Sequence, residues 1–338
     1  MVIRDPHTSE RSARRGSTSS CVKLGASCVQ HRLGLRERIC IMVDKTHTGN
    51  ILITGTSTGI GRACALQLDR LGFRVFAGVR RIEDGDALRV GSSERLKPIL
   101  LDVTEPDSIE SARRKIGSIV GTDGLQGLIN NAGIVVVGPL EVLPVAEIRR
   151  QMDVNLLGSI AVTQAFLDLI RSGRGRIVNM SSIAGQLASP FTGSYSMSKF
   201  ALEAFSDALR MELAPWGIPV SVIEPGNVAT PIWDKSRTRG ESIYEGLGTD
   251  ARTLYGDQLA TLREVSRKIG SRGLSPERVA AAVAHALTSK RPHTRYVVGI
   301  DSKALRFLSR WIPDRLRDRL ILKGLGLVDV RTVSQERQ

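Results

Sequence analysis

The run Asn50-Ile51-Leu52-Ile53-Thr54-Gly55-Thr56-Ser57-Thr58-Gly59-Ile60-Gly61 decides how this chain folds. Apolar residues from Asn50 to Thr54 read as a buried strand. Three glycines follow at once, and helical spacing of apolar residues resumes over 62–71. A glycine has no Cβ, so the backbone at Gly55, Gly59 and Gly61 can turn sharply and lie close to a bound group. The N-terminus of the helix behind it favours an anion such as a pyrophosphate. The spacing is G-x-x-x-G-x-G rather than the G-x-G-x-x-G of the longer dinucleotide fingerprint. Alone, such a turn is also a tight strand–helix connection; with a strand before it and a helix behind it, nucleotide binding is the better reading, and the turn residues Ser57, Thr58 and Ile60 would line the site.

Outward from this turn, short apolar runs alternate with helical patterns. Strands are predicted at 50–54, 74–79, 98–101, 125–130, 176–180, 219–223 and 295–298, and helices at 145–171, 195–213 and 276–288. Ser275 with Pro276 reads as the start of the last of these helices. Such alternation implies right-handed crossovers and one α/β domain: a Rossmann-like, doubly wound parallel sheet of about seven strands, covered by helices on both faces.

Composition narrows the partners. The 338 residues carry a formal net charge of +14, with 41% apolar and 4% aromatic residues. Residues 1–41 hold eight Lys/Arg against three Asp/Glu, and 303–338 hold another basic cluster, so the middle is only mildly basic. Few aromatics, none interleaved with arginine, argue against nucleic-acid binding. Cys21, Cys28, Cys40 and Cys64 form neither a disulfide framework nor, with His31, a zinc pattern. No metal is expected, and free thiols suit a cytoplasmic setting. No apolar stretch approaches the length of a membrane span. Residues 1–48 are rich in Ser, Arg, Gly and Thr and are expected to be a disordered basic extension, or to lie upstream of a true start at Met42; an organelle transit peptide is the lesser reading.

At the end of the second strand, Val79 stands where an acidic side chain would bind the ribose 2′-hydroxyl of NAD. Arg80 and Arg81 follow it. Arginine suits a 2′-phosphate, so NADP is expected, with NAD as the alternative. Asp102 and Val103 end the third strand, beside the place for an adenine, although Asp102 reads equally as a turn residue. Tyr195 and Lys199 stand four apart on a helix and so share a face, with Ser182 thirteen positions upstream. A phenol titrates ordinarily near ~10, and a fixed cation lowers that value. The pair is therefore expected to move protons to and from an alcohol oxygen.

The set Thr54–Gly61, Asn130-Asn131-Ala132-Gly133, Asn155, Ser182, Tyr195 with Lys199, and Pro225-Gly226 with Thr230 resembles the short-chain dehydrogenase/reductase family, from about residue 50 to 298. Within it, 74–81 and the block around Tyr195 look most like retinol and hydroxysteroid dehydrogenases. The resemblance implies hydride transfer between a nicotinamide and an alcohol or carbonyl carbon, with Tyr195 as acid/base. Lys199 would tune Tyr195 and hold the nicotinamide ribose, and Ser182 would bind the substrate oxygen. Asn155 would hold a relay water. Asn131, Ala132, Gly133, Pro225, Gly226, Val228 and Thr230 would line the cofactor. It also implies a homodimer or homotetramer built on the helices at 145–171 and 195–213. The alternatives are a 3-oxoacyl thioester reductase and a nucleotide-sensing protein without turnover.

Residues 231–274 lack strand–helix alternation and occupy the place of the family's substrate lid, so mobile binding loops are expected. Trp233, Ile243, Tyr244, Leu247, Leu254, Tyr255 and Leu259 offer apolar cover for a steroid-, retinoid- or lipid-like substrate. In 303–323, Leu305, Leu308, Trp311, Ile312, Leu316 and Leu320 recur near helical spacing between arginines, with Pro313 as a break. Two readings stay open: a peripheral membrane contact, or a helix packed over the pocket or a partner subunit, the second preferred.

Overall fold

The computed structural model of the chain describes residues 48–246, 248–271 and 273–327. The expectations for 1–47, for Leu247 and for 328–338 fall outside the described residues. Strand β1 (Asn50–Ile53) leads through the glycine turn into helix α1 (Gly59–Arg70), then β2 (Arg74–Val79), α2 (Ile82–Arg89), β3 (Leu96–Leu100), α3 (Pro106–Val120) and β4 (Gly127–Asn130). The second half runs α4 (Val145–Met152), α5 (Gly158–Ser172), β5 (Arg176–Met180), α6 (Gly193–Leu213) and β6 (Val220–Pro225). After it come α7 (Ile232–Glu245), α8 (Thr249–Ser271), α9 (Pro276–Thr288), β7 (Arg295–Val298), α10 (Ile300–Trp311) and α11 (Asp314–Gly324).

The strands form one sheet in the order β3-β2-β1-β4-β5-β6-β7, every pair parallel. Side chains alternate faces along each strand. Ile51, Ile53, Val75, Ala77, Ile129 and Val178 therefore pack under α1 and α9. Leu52, Phe76, Leu128, Ile177 and Val220 pack under α3, α5 and α6. Two apolar layers, one on each face, make the expected doubly wound single domain. β1 and β4 lie side by side although β2 and β3 separate them in sequence, so the strand order reverses there. Loops leaving the carboxyl ends of β1 and β4 diverge, which opens the crevice where open α/β sheets bind ligands.

Three departures have physical reasons. The stretch 145–171 is not one regular helix: it widens into a π-helical turn over Asp153–Leu157, between α4 and α5. Together these segments, Val145–Ser172, are long and apolar enough by composition to cross a membrane, contrary to the impression from the sequence. The apolarity is accounted for by packing, since Val162, Phe166 and Ile170 are wholly buried against the sheet. The lid is helical, not a set of loops, because α7 and α8 carry most of it. Their polar residues left no clear apolar periodicity to read.

Candidate active site

At the nucleotide end, Gly55 and Gly59 adopt φ of +68° and +59°, a region that favours glycine. A Cβ on Gly61 would stand 2.2 Å from the Gly55 carbonyl oxygen and 2.5 Å from Asn131 Nδ2, so the turn admits no larger residue there. Asn131 holds the turn closed, donating from Nδ2 to the carbonyls of Thr54 and Gly55, both at 2.9 Å. Thr54 Oγ1 in turn accepts the amides of Asn131 and Ala132, each at 2.9 Å. No side chain caps the first turn of α1, and its first backbone bond runs from Arg62 N to the Thr58 carbonyl. The amides just ahead of it, around Ser57, Thr58, Gly59 and Ile60, suit a bridging phosphate. The cradle thus fits the dinucleotide that the sequence implies.

Buried Val79 closes β2, and Arg80 is exposed at its carboxyl end with no ion pair among the described residues. Arg81 differs, because Asp84 engages it at 3.2 Å. The two arginines are therefore not equivalent, and Arg80 is the freer cation. Asp102 folds its carboxylate onto its own loop, accepting from Thr104 N at 3.0 Å and Thr104 Oγ1 at 2.8 Å. Its turn role is thus realised. Val103 is buried beside Gly158 at the start of α5. Thr230 reaches back so that its methyl group would lie 3.1 Å from a Cβ on Gly59. The segment after β6 therefore meets the glycine turn. Val228 is buried, and its carbonyl accepts from Trp233 Nε1 at 3.1 Å.

At the chemical end, β5 and α6 bring Ser182, Tyr195 and Lys199 together. Ser182 is buried, accepts from Ala184 N at 3.1 Å and approaches the Pro225 carbonyl at 3.5 Å. Its hydroxyl also hydrogen-bonds Tyr195. Lys199 is buried, donates to the Met180 carbonyl at 2.7 Å, and lies 5.7 Å from the centre of the Tyr195 ring. One electrostatic expectation needs correction. Although Tyr195 is only half-buried, the protein around it pushes the phenol up to about 12, and the Ser182 hydrogen bond opposes this only in part. Burial drives Lys199 down to about 8, with Glu203 holding it from going further. Desolvation disfavours charge on both groups and is the larger cause of each shift.

Asn155 sits in the π-helical turn and is wholly buried. Its amide donates to the Ile134 carbonyl and to Ser198 Oγ, both at 3.0 Å, while its oxygen accepts from Ile134 N at 2.8 Å. Both amide hydrogens are thus engaged, and the side chain braces the loop after Gly133. Gln151, one turn earlier, grips the same loop through Ile134 and Val136 and binds Ser194 at 3.0 Å. Nothing in the sequence singled out Gln151. A second polar chain was read only through its motif residue Asn130, which donates to Thr163 and Asn179, while Asn179 donates to Ser206, at 2.8 to 2.9 Å. These groups tie β4, β5, α5 and α6 in register beneath the site. Polar residues within otherwise apolar strands were the available signal.

The lid is fastened on the far side of the cleft. Arg239 of α7 forms a two-pronged ion pair with buried Glu147 of α4, and Tyr255 of α8 donates to Glu141 and packs edge-on against Phe191.

Comparison with known proteins agrees with this geometry. A family model described as short chain dehydrogenase matches residues 49–241. The chain belongs to that family. It is 39% identical over 277 residues to retinol dehydrogenase 5 of Mus musculus, covering 80% of this chain and 87% of that one. It is 34% identical over 279 residues to the NADPH-dependent 3-dehydrocapnine reductase of Ornithobacterium rhinotracheale, covering 81% and 96%. A short chain dehydrogenase/reductase from Burkholderia phymatum, solved with NAD, superimposes with a TM-score of 0.66 at 25% identity, covering 77% of this chain and 92% of that one. This short-chain dehydrogenase is therefore an oxidoreductase acting on CH–OH groups, related to retinol dehydrogenases.

Proposed function

We propose that this chain is an NADP(H)-dependent oxidoreductase that interconverts an apolar alcohol and its aldehyde or ketone. The observation that carries the reading is Ser182, Tyr195 and Lys199 meeting at the carboxyl end of β5, in the same crevice as the glycine cradle. When bound, the cofactor supplies or accepts the hydride. Ser182 fixes the substrate oxygen by a hydrogen bond, and Tyr195 exchanges a proton with that oxygen. A phenol held at about 12 keeps its proton at neutral pH and can donate it to a carbonyl oxygen, and with NADPH as the cofactor reduction is the favoured direction. Lys199 offers a cation to the nicotinamide ribose and to Tyr195, and Asn155 holds the adjoining loop.

Support for NADP comes from Arg80, exposed, without an ion-pair partner and with no carboxylate at Val79. A relative whose name states NADPH dependence agrees, while a neighbour holding NAD keeps the alternative alive. Support for an apolar, retinoid- or steroid-like substrate comes from the aromatic residues Phe191, Trp233 and Tyr255 around the lid, and from retinol dehydrogenase relatives. Exposed Leu157, Met197, Phe200 and Met211 on the central helices suit a homodimer or homotetramer. Exposed Phe307 and Trp311 on α10 suit a cytoplasmic enzyme in peripheral contact with a membrane. The test is a screen of NADPH and NADH oxidation against all-trans-retinal, a ketosteroid and a long-chain aldehyde. Turnover of at least one apolar carbonyl, abolished in Tyr195→Phe with NADPH binding retained, is expected. Turnover undiminished in Tyr195→Phe would contradict the assignment.

A further inference from the structure

One turn beyond Lys199, α6 carries a further buried ionisable side chain, Glu203. The two residues are 4% and 6% exposed and stand four apart, on the same face of the helix. Glu203 Oε2 pairs with Arg295 of β7 at 3.1 Å. Its carboxylate is also approached by the buried Ser181 hydroxyl from the end of β5.

The charges continue outward from Glu203. Arg295 also meets Asp207 of α6 at 2.6 Å and Glu224 of β6 at 3.2 Å. Glu224 is wholly buried, receives Gln186 Nε2 at 3.3 Å, and pairs with Arg306 of α10 at 3.4 Å. Asp207 has a second partner in Arg210 at 3.0 Å. Lys199 itself is faced by Tyr195 and Glu203 from α6 and by the Met180 carbonyl from β5. Of the charges packed around it, Glu203 is the one that favours its ammonium form. Helix α10 is docked at the same end, since Ser302 Oγ donates to the Val298 carbonyl at 3.0 Å and fills the space a side chain on Gly226 would need.

We propose that Glu203 is a positioning residue for the Lys199 charge, and that Arg295, Glu224 and Arg306 hold it in place, making α10 part of the active site's electrostatic frame. This rests on the proposed function, in which Lys199 works as an ammonium beside Tyr195. Removing the Glu203 charge leaves Lys199 with burial alone, so it loses its proton at lower pH and the alkaline limb of carbonyl reduction moves with it. Arg306 acts three contacts further out and has a smaller effect.

The test uses full-length protein labelled with 15N-lysine, with the Lys199 amine assigned through Lys199→Arg. In Glu203→Gln its titration midpoint is expected to fall by about one pH unit, the size of a typical single-charge coupling. With NADPH and all-trans-retinal, the alkaline limb of kcat should fall by the same amount. Glu203→Asp should restore most of both shifts, which a loss of packing would not do. Arg306→Ala should move the midpoint by a fraction of a unit. An unchanged Lys199 midpoint in folded Glu203→Gln would overturn the proposal. Should that variant fail to fold, an unchanged midpoint in Arg306→Ala overturns it equally. Because the resonance is read without substrate, a shifted midpoint in a protein that turns over no apolar carbonyl would refute the proposed function and leave the Glu203 coupling standing.

Discussion

At the nucleotide end of the crevice the chain works with backbone: Gly55 and Gly59 at positive φ, Gly61 with no room for a Cβ, and amides at the head of α1. At the chemical end it works with buried ionisable side chains: Tyr195 pushed up to about 12, Lys199 down to about 8, and Glu224 up to about 6. A backbone cradle is assembled by the same hydrogen bonds that make the fold, so it stores little strain. Buried charges oppose folding and are held only because α5, α6 and the sheet around them are fully packed. One end should therefore tolerate no added volume, and the other should tolerate loss of charge while losing chemistry.

The largest contrast is expected from Tyr195→Phe, which removes the proton donor and little else. Its kcat should fall at least about a thousandfold, in line with loss of an acid/base group, while NADPH binding followed by fluorescence stays within twofold. Next comes Gly61→Ala at the opposite end. One methyl group forced against the Gly55 carbonyl should destabilise the protein by about 3 kcal/mol, and chemical unfolding would read it. A variant as stable as wild type would mean that the turn is looser than its distances imply.

Lys199→Met sharpens the comparison, because activity and stability should move in opposite directions. A lysine whose pKa falls from 10.5 to about 8 destabilises the fold while it is charged. The unfolded chain binds this proton more tightly across that window, so wild-type stability rises as pH climbs from about 8 towards 10.5. At pH 7 the variant should be more stable by roughly 2 kcal/mol, inactive, and its advantage should shrink across the window. An advantage independent of pH would show that packing, not charge, sets it. Arg80→Ala should raise the KM for NADPH about tenfold, one charge-assisted contact, and leave that for NADH unchanged. The smallest effect is expected from Arg239→Ala, which frees one side of the lid. Substrate KM should rise about threefold with kcat little changed, and proteolysis within the lid should accelerate.

How far these features can be read from sequence follows the same division. The glycine turn and the seven strands were legible because they depend on local patterns: β2, β5 and β7 fall at the predicted residues, 74–79, 176–180 and 295–298. Ser182, Tyr195 and Lys199 were legible as residues, through their spacing. Their ionisation was not, since it is set by neighbours such as Glu203 and Arg295, which lie 92 positions apart in the chain. Gln151 and Asn179 were missed for the same reason, as was the bracing role of Asn130: their partners come from other elements, and no local period marks them. The lid misled because α7 and α8 are polar helices held by a few long-range contacts, among them Arg239 with Glu147, rather than by an apolar stripe.

The central claim is tested most directly by following one hydrogen. Protein incubated with NADPH carrying deuterium at nicotinamide C4 and with all-trans-retinal or another apolar carbonyl should yield an alcohol with one deuterium on its carbinol carbon, from one face of the ring only. The Tyr195→Phe protein should yield almost none despite binding the cofactor. Alcohol formed without deuterium from either face, or formed at the same rate without Tyr195, would contradict the account.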